Sequence, residues 1–288
     1  MSQNKRLILV DGSSFLFRAY HALPELQTRS GQHTGAIYGV TNMLRKLVKE
    51  CDPELIAIVF DAKGKTFRHE MYEQYKANRP PAPPDLVSQI QFIHDITRAM
   101  GLPLICVPGV EADDVIGTLA AEATQKKLEV LVVTGDKDKA QLVNEHVTLI
   151  DTMKDQTLDI QGVIDKFDVR PDQIIDYLAL TGDSADNIPG VPKVGPKTAA
   201  KWLKQYDTLD NLMAHSEEIG GKVGESLREH LDQLIMSRAL TEIKLDVELD
   251  CACDELHLGE ADRATLAEFY KELQFRTWAA ELEADSST

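Results

Sequence analysis

The sequence predicts an α/β fold, a mostly parallel central sheet covered by helices, followed by a part that is mainly helical. Short apolar runs rich in β-branched residues recur without alternation, as strands buried on both faces do, at 7–10, 56–60, 104–107, 130–133 and 147–150. Amphipathic stretches of helical length separate them, at 35–49, 84–100 and 113–126. Strands that alternate with helices predict βαβ units.

The pattern changes from about residue 171. Strand-like runs disappear, and Gly and Pro separate helical segments at 172–180, 196–205, 217–235 and 261–273. We therefore predict an α/β domain over 1–175 and a helical part over 176–288.

Composition excludes several classes of protein. The hydrophobic fraction of 43% supplies a core, and no run approaches the ~18 apolar residues of a membrane span. Only 7–10 is apolar before Asp11, so we expect no signal peptide. The four cysteines form no C-x-x-C pair, which predicts reduced thiols and a cytoplasmic protein.

The net charge of −16 alone argues against a nucleic-acid partner. Residues 246–288 hold twelve acids and three bases and therefore carry −9, which leaves −7 for the other 245 residues. The position of those remaining acids matters more than the total.

Acidic side chains follow four of the predicted strands. Asp11, Asp61 and Asp136 come at or just after strand ends, and Glu111 follows the run at 104–107. The carboxyl ends of parallel strands line one crevice, where ligands bind. Five further acids accompany these four and bring the predicted cluster to nine: Asp113, Asp114, Asp138, Asp183 and Asp186.

Two interpretations of these acids compete. A single acid after a strand is often a helix cap, and this holds well for Asp113 and Asp114. Four strand ends with the same feature favour a metal site, because gathered like charges repel and a hard divalent cation offsets them. Two Mg²⁺ ions can hold the attacking and leaving oxygens of a phosphodiester in line. Without the nine acids, the charge of the first 245 residues changes from −7 to +2.

Two other phosphate motifs fail. Gly64-Lys65-Thr66 follows a strand as a P-loop would, but Val59 stands where that motif needs Gly. The segment 136–140 has the D-x-D of aspartyl-phosphate phosphatases, but it lies on a later strand and lacks the expected fifth residue.

A first basic element follows Asp61. Lys65, Arg68, Lys76 and Arg79 would share one face of a helix, near Tyr72 and Tyr75, and a Pro-rich break follows at 80–84. Such a face is most often solvated surface, but its position predicts a phosphate clamp within an arch at about 63–95.

A second basic element is the hairpin at 188–199. Gly190 and Gly195 bracket a turn, Pro196 suits a first helical position, and lysines follow at 193, 197, 201 and 204. This pattern is typical of sequence-independent duplex binding, with an ordinary helix–turn–helix connection as the alternative.

The ordered motifs at 9–14, 59–68, 109–117, 134–138 and 182–191 resemble the 5′-nuclease domain of bacterial DNA polymerase I, within the flap endonuclease family. The resemblance runs from about residue 5 to about 280. It implies a PIN/resolvase-like 5′-nuclease core and a helix–three-turn–helix at about 183–205. It also implies a 5′ to 3′ exonuclease and structure-specific flap endonuclease that serves primer removal and DNA repair.

The resemblance also implies roles for individual residues. A first metal would be held by Asp11, Asp61, Glu111 and Asp113. A second would be held by Asp114, Asp136, Asp138 and Asp183, with Asp186 close by or acting through water. Lys76 and Arg79 would steer the scissile phosphate. The DNA contacts expected from both basic elements are Lys65, Arg68, Tyr75, Lys193, Lys197, Lys201 and Lys204.

We therefore expect a monomer that needs two or more Mg²⁺ or Mn²⁺ ions, with K⁺ at the helix–three-turn–helix. Its partners would be flapped, nicked or 5′-ended duplex DNA and RNA primer–DNA hybrids, with no membrane. A non-catalytic module that binds junctions is the alternative, and the intact acids speak against it. The sequence fits both the first part of a polymerase I and a stand-alone nuclease, and we expect no polymerase activity from it.

Overall fold

A computed structural model describes residues 6–152, 154 and 156–285. The strands are β1 Arg6–Asp11, β2 Leu55–Val59, β3 Leu104–Ile105, β4 Glu129–Val133, β5 Val147–Asp151 and β6 Gln156–Leu158. The helices of the first half are α1 Gly12–Ala22, α2 Gly35–Cys51, α3 Phe67–Met71, α4 Pro84–Ala99, α5 Ala112–Gln125 and α6 Ile160–Phe167. Those of the second half are α7 Ile174–Thr181, α8 Pro196–Tyr206, α9 Leu209–Ala214, α10 Gly221–Glu229, α11 Leu231–Thr241, α12 Arg263–Glu272 and α13 Arg276–Asp285.

These strands form one sheet in the order β3-β2-β1-β4-β5-β6, parallel except for β6, which runs antiparallel to β5. The predicted fold class is confirmed, and each of the five predicted strands is present. The sequence did not predict β6, because its three residues include the polar pair Gln156 and Thr157 at the sheet edge. The chain builds outward from β1 through β2 to β3 and then crosses to β4 on the other side. The topological switch point therefore lies between β1 and β4.

Helices cover both faces of the sheet. Leu7 and Leu9 of β1 belong to the apolar core that contains α5, whereas Ile8 and Val10 belong to the core with α1, α2 and α4. This two-residue alternation buries β1 completely beyond its first residue. The carboxyl end of β1 is thereby held rigidly at the middle of the sheet.

The arch predicted at 63–95 is not one continuous basic helix. Helix α3 ends at Met71, turns occupy 73–79, and an extended Pro-rich piece leads to α4 at Pro84. Lys76 has a φ of 54°, which no right-handed helix contains. The prediction that four basic side chains share one helical face is therefore wrong, because α3 spans only Phe67–Met71 and the chain leaves the helix at Tyr72.

The second half is helical, as predicted. The segment predicted as one helix at 217–235 divides into α10 and α11 at His230. Helices α12 and α13 return to the first half, where Tyr270 and Trp278 are buried in the core that contains α2 and α4. None of the described helices is long and apolar enough to cross a membrane.

The turn between α7 and α8 is packed backbone against backbone. Asp183 and Ile188 form an isolated bridge, with N···O distances of 2.9 and 2.8 Å. A Cβ on Gly190 would lie 2.4 Å from the carbonyl carbon of Thr181, so this position excludes any side chain. The close approach holds the start of the hairpin against the end of α7.

We expect Gly190→Ala to lower the free energy of unfolding by about 1–3 kcal/mol or more, because backbone must move to admit the methyl group. Gly195→Ala is the matched control, since its Cβ meets nothing within 4 Å and only a helix N-cap changes. Its cost should stay below about 1 kcal/mol. Urea denaturation followed by circular dichroism measures both, and equal losses would contradict the packing described.

Candidate active site

A cleft of about 490 Å³ opens at the carboxyl ends of the parallel strands. Eight of the nine predicted acids line it: Asp11, Asp61, Glu111, Asp113, Asp136, Asp138, Asp183 and Asp186. Six lie at or beyond the carboxyl ends of β1, β2, β3 and β4, up to the first turn of α5, and the last two come from the turn between α7 and α8. The structure thus brings together acids that lie up to 175 residues apart in the chain.

Asp11 stands at the switch point and makes several bonds at once. It caps α1 by accepting a hydrogen bond from the Ser14 amide at 2.9 Å. Its second oxygen accepts one from the Thr134 hydroxyl beyond β4, also at 2.9 Å. Asp11 therefore caps a helix and also lines the cleft.

A buried lysine lies between three of the acids. Lys139 is 1% exposed, and its Nζ lies 2.8 Å from Asp11, 2.8 Å from Asp113 and 3.4 Å from Asp136. Burial alone would lower the pKa of Lys139, but the three carboxylates raise it well above its ordinary value. The lysine is therefore a cation inside the acidic cleft.

The arch and the α7–α8 turn meet at the opposite side of the cleft. The backbone amide of Lys76 donates to the Asp186 carbonyl at 2.9 Å, and the Asn187 side chain donates to the Gln74 carbonyl at 2.7 Å. Lys76 Nζ lies 2.5 Å from Glu111 and 3.5 Å from Asp186, and Arg79 also bonds Asp186. The helical half therefore completes the site.

Asp114 does not belong to the cleft, so its predicted role as a metal ligand is wrong. It is fully buried, and both of its oxygens accept hydrogen bonds from Arg68 at 2.8 Å. The backbone amides of Glu111 and Lys244 donate to it at 2.9 Å each. Burial opposes its charge, but the bonds and charge of Arg68 outweigh this and lower its pKa. Its lone pairs are taken, and it anchors α5 to the helical half.

Arg68 and Tyr75 were predicted as DNA contacts, and the structure contradicts both. Each is 2% exposed. Besides Asp114, Arg68 donates to the carbonyls of Leu240 and Glu242 at 2.9 and 2.7 Å. The Tyr75 hydroxyl donates to Glu111 at 2.9 Å. Both side chains hold the cleft together and present no surface to a phosphate.

The remaining acids fit a hard cation. Desolvation, together with the negative charge of neighbouring aspartates, raises the pKa of Asp113 to about 7 and that of Asp138 to about 8. Asp138 Oδ1 is buried and has no hydrogen-bond partner among the described residues. An excess of oxygen ligands with an unpaired buried oxygen is the donor set that Mg²⁺ or Mn²⁺ prefers.

The other predicted DNA contacts are exposed: Lys65 after β2, Lys193 in the hairpin, and Lys197, Lys201 and Lys204 on α8. The buried face of α8 carries Ala199, Trp202 and Leu203, so the lysines lie on its outer side. Lys204 is bonded to Asp168, whereas Lys197 and Lys201 carry no ion pair among the described residues.

Sequence reasoning missed Lys139 as well as Ser13, Phe17 and Arg18, all of which line the cleft. Phe17 and Arg18 lie on α1, within two helical turns of Asp11. This spacing is the sequence signal that places them near the cleft. Lys139 gave no such signal, because a lysine next to acids normally reaches solvent.

Comparisons with known proteins agree with this geometry. The model of the 5′-3′ exonuclease N-terminal resolvase-like domain matches residues 6–168, and that of the 5′-3′ exonuclease C-terminal SAM fold matches residues 169–264.

Similar sequences come from bacteria. DNA polymerase I of Pseudomonas aeruginosa is 49% identical over 96% of this chain and 31% of its own length. DNA polymerase I of Bacillus caldotenax is 41% identical over 98% and 33%. The chain therefore spans about a third of these polymerases. A 5′-3′ exonuclease of Aquifex aeolicus is 39% identical over 97% of this chain and 96% of its own length.

Solved structures share the fold. T5 5′-exonuclease with bound zinc has a TM-score of 0.71 at 20% identity, covering 94% of this chain and 98% of its own. The catalytic core of Rad2 in complex with DNA substrate has a TM-score of 0.59 at 16% identity, covering 94% and 88%.

We expect Arg68→Met to lower the free energy of unfolding by about 3–5 kcal/mol, because Asp114 keeps a buried charge without its cation. Arg170→Met is the control, since Arg170 pairs with Asp172 and Asp207 at the surface and should cost at most about 1 kcal/mol. Chemical denaturation distinguishes them. Similar small losses in both variants would show that the Arg68–Asp114 pair is not the anchor described.

Proposed function

This chain belongs to the 5′-3′ exonuclease family, and we propose that it is a metal-dependent nuclease that hydrolyses phosphodiesters near the 5′ ends of flapped or nicked DNA. One observation carries the proposal. Acids from four strand ends and from the α7–α8 turn converge in one cleft that also contains Lys76 and Arg79. A binding surface for DNA alone would gain nothing from such a concentration of negative charge.

We propose Mg²⁺ as the natural ion, with Mn²⁺ as a substitute, held by carboxylates of the cleft. When bound, such ions polarise the phosphate and activate water near neutral pH. Two or more ions, and a K⁺ ion at the helix–three-turn–helix, stay predictions.

Lys76 and Arg79 are proposed to contact the phosphate that is cut. The side chain of Lys76 is 20% exposed and that of Arg79 is 49% exposed, so both can turn from Asp186 toward a substrate. Positive charge placed where negative charge grows stabilises the transition state more than the substrate.

The outer face of α8 is proposed to hold the duplex. Lys197 and Lys201 lie one helical turn apart on it, and Lys193 precedes them in the hairpin with a φ of 71°. Lys65 would contact DNA near the arch. Contacts of this kind act on the phosphate backbone and carry no base specificity.

A cleavage assay separates this function from its alternatives. A 5′-labelled flap duplex is incubated with the protein in Mg²⁺ and, in parallel, in EDTA. We expect short 5′ products in Mg²⁺ only. Binding without cleavage would favour a junction-binding module, and release of free phosphate alone would favour a phosphatase. The same assay with an RNA primer–DNA hybrid tests the second proposed substrate, and sedimentation tests the proposed monomer.

Asp183→Asn should reduce the cleavage rate at saturating DNA by roughly 10²-fold or more. The Asp183 carboxylate is 7% exposed and accepts a hydrogen bond from the Ala185 amide at 2.7 Å, which Asn can keep. Loss of a negative charge should leave the affinity for flap DNA unchanged or tighter.

Asp232→Asn on the exposed side of α11 is the control and should cleave at the normal rate. Rapid-quench kinetics in saturating Mg²⁺ measure both variants. Normal turnover of Asp183→Asn would show that Asp183 has only a structural role in the α7–α8 turn and takes no part in cleavage.

The two basic elements should have different roles, with the α8 lysines acting on DNA affinity and Lys76 on the cleavage rate. Lys197→Ala with Lys201→Ala should lower the slope of log K against log salt by about 1.8, at about 0.9 for each phosphate contact. It should weaken all duplex substrates alike and leave cleavage at saturation nearly unchanged.

Lys76→Met should instead lower the cleavage rate at saturation, with little change in affinity. Fluorescence anisotropy in Ca²⁺ across a salt series, followed by rapid quench in Mg²⁺, measures both variants. If Lys76→Met changes binding alone while the α8 variant loses the chemical step, the two assignments are reversed.

A further inference from the structure

Lys139 occupies a position where a metal ion would otherwise be expected. Its ammonium lies within 2.8 Å of one oxygen of Asp11 and one of Asp113, and 3.4 Å from Asp136. These carboxylates converge on it from the end of β1, the start of α5 and the loop after β4. A single cation already bridges three elements of the cleft.

The backbone holds Lys139 there. It belongs to the 3₁₀ turn Asp138–Leu142, whose Ala140 and Leu142 are buried in the core beneath α5. With its side chain 1% exposed, the ammonium is shielded from solvent where it meets these carboxylates. Lys137, two residues earlier, is different, because its side chain is 52% exposed and only approaches Asp183 at 3.8 Å.

A divalent ion and this ammonium would compete for the same oxygens. An Mg²⁺ ion bound by Asp11 and Asp113 would lie about 2.0–2.1 Å from oxygens that Nζ already contacts, and the two cations would repel. At Asp183 the nearest lysine ammonium is farther away, since Lys137 Nζ lies 3.8 Å from its carboxylate. Neither Asp138 nor Asp183 bonds Lys139 in the described structure, and Asp138 Oδ1 is buried without a hydrogen-bond partner.

We propose that Lys139 is a tethered cation that permanently fills the Asp11–Asp113 end of the cleft, so that the protein binds one divalent ion fewer than its carboxylates alone would hold. The divalent ion is then bound at the Asp138–Asp183 end. This inference rests on the proposed metal-dependent nuclease function and concerns how its metal site is built.

The first test counts bound metal. Mn²⁺ is titrated into the wild type, Lys139→Met and Lys137→Met, and free Mn²⁺ is followed by electron paramagnetic resonance. Lys139→Met should bind one more Mn²⁺ than the wild type. Lys137→Met removes the same charge from the same loop and should bind the wild-type number. Equal numbers in the wild type and Lys139→Met would overturn the proposal.

Thermal unfolding gives a second result on the same proteins. In EDTA, Lys139→Met should melt at a lower temperature than Lys137→Met, because three acids, of which Asp11 is buried, lose their cation. Saturating Mn²⁺ should restore more of the melting temperature in Lys139→Met than in the wild type. The same gain from Mn²⁺ in both would count against a cation that stands in for a metal.

A measurement on the wild type does not depend on the folding of a variant. Lysines are acetylated with acetic anhydride in EDTA and in saturating Mn²⁺, and labelling is quantified by mass spectrometry. Lys139 should stay protected in both, whereas Lys137 should label readily. If Mn²⁺ raises the labelling of Lys139 to that of Lys137, metal displaces the lysine and the proposal is wrong.

Flap cleavage by the wild type in Mg²⁺ is assayed beside these measurements. Absence of cleavage would overturn the proposed function. Cleavage together with equal Mn²⁺ numbers would overturn only the role of Lys139.

Discussion

Repulsion among carboxylates gathered at one edge of a parallel sheet is the constraint on which the rest of this structure depends. The topology forces it, because parallel strands deliver the residues after β1, β2, β3 and β4 to the same place. The protein offsets part of this charge with its own cations. Lys139 lies beneath the cleft, Lys76 and Arg79 lie at its side, and Arg68 neutralises the acid that is fully buried. Among the described residues, Asp61 and Asp138 of the cleft have no ion pair, and such acids are suited to a divalent ion.

The same cations join the two halves of the chain. The side chain of Arg68 extends from α3 and binds Asp114 at the start of α5. It also donates to carbonyls at the end of α11 and just beyond it. Tyr75 is buried with Ile188 and Leu240 in a small core of its own, between the arch and the helical part. Residues in and beside the site therefore also hold the two halves of the chain together. A change in the arch must alter the distance between Lys76 and the carboxylates that it meets.

The charge distribution explains how an acidic protein can bind a polyanion. More than half of the net charge of −16 lies in residues 246–288, outside the cleft. Within the cleft, lysines offset part of the charge of the acids, and the exposed lysines of α8 stand on a separate surface. We therefore propose that binding and cutting use different residues. The location of charge, rather than its sum, decides what approaches the active site.

The sequence by itself determined the fold class, the strand order along the chain and the acids at the strand ends, because apolar periodicity and residues at strand ends are local signals. Six of the eight predicted acids in the cleft reach it for that reason, whereas Asp183 and Asp186 come from the turn between α7 and α8. Only the tertiary structure decided which charged groups face each other. Arg68, Tyr75 and Asp114 have the sequence pattern of surface or ligand residues, yet they are buried because the end of α11 and the segment after it close over them. Lys139 is likewise buried by the tertiary structure. A turn anchored in the core directs its side chain inward, to carboxylates that come from distant segments of the chain.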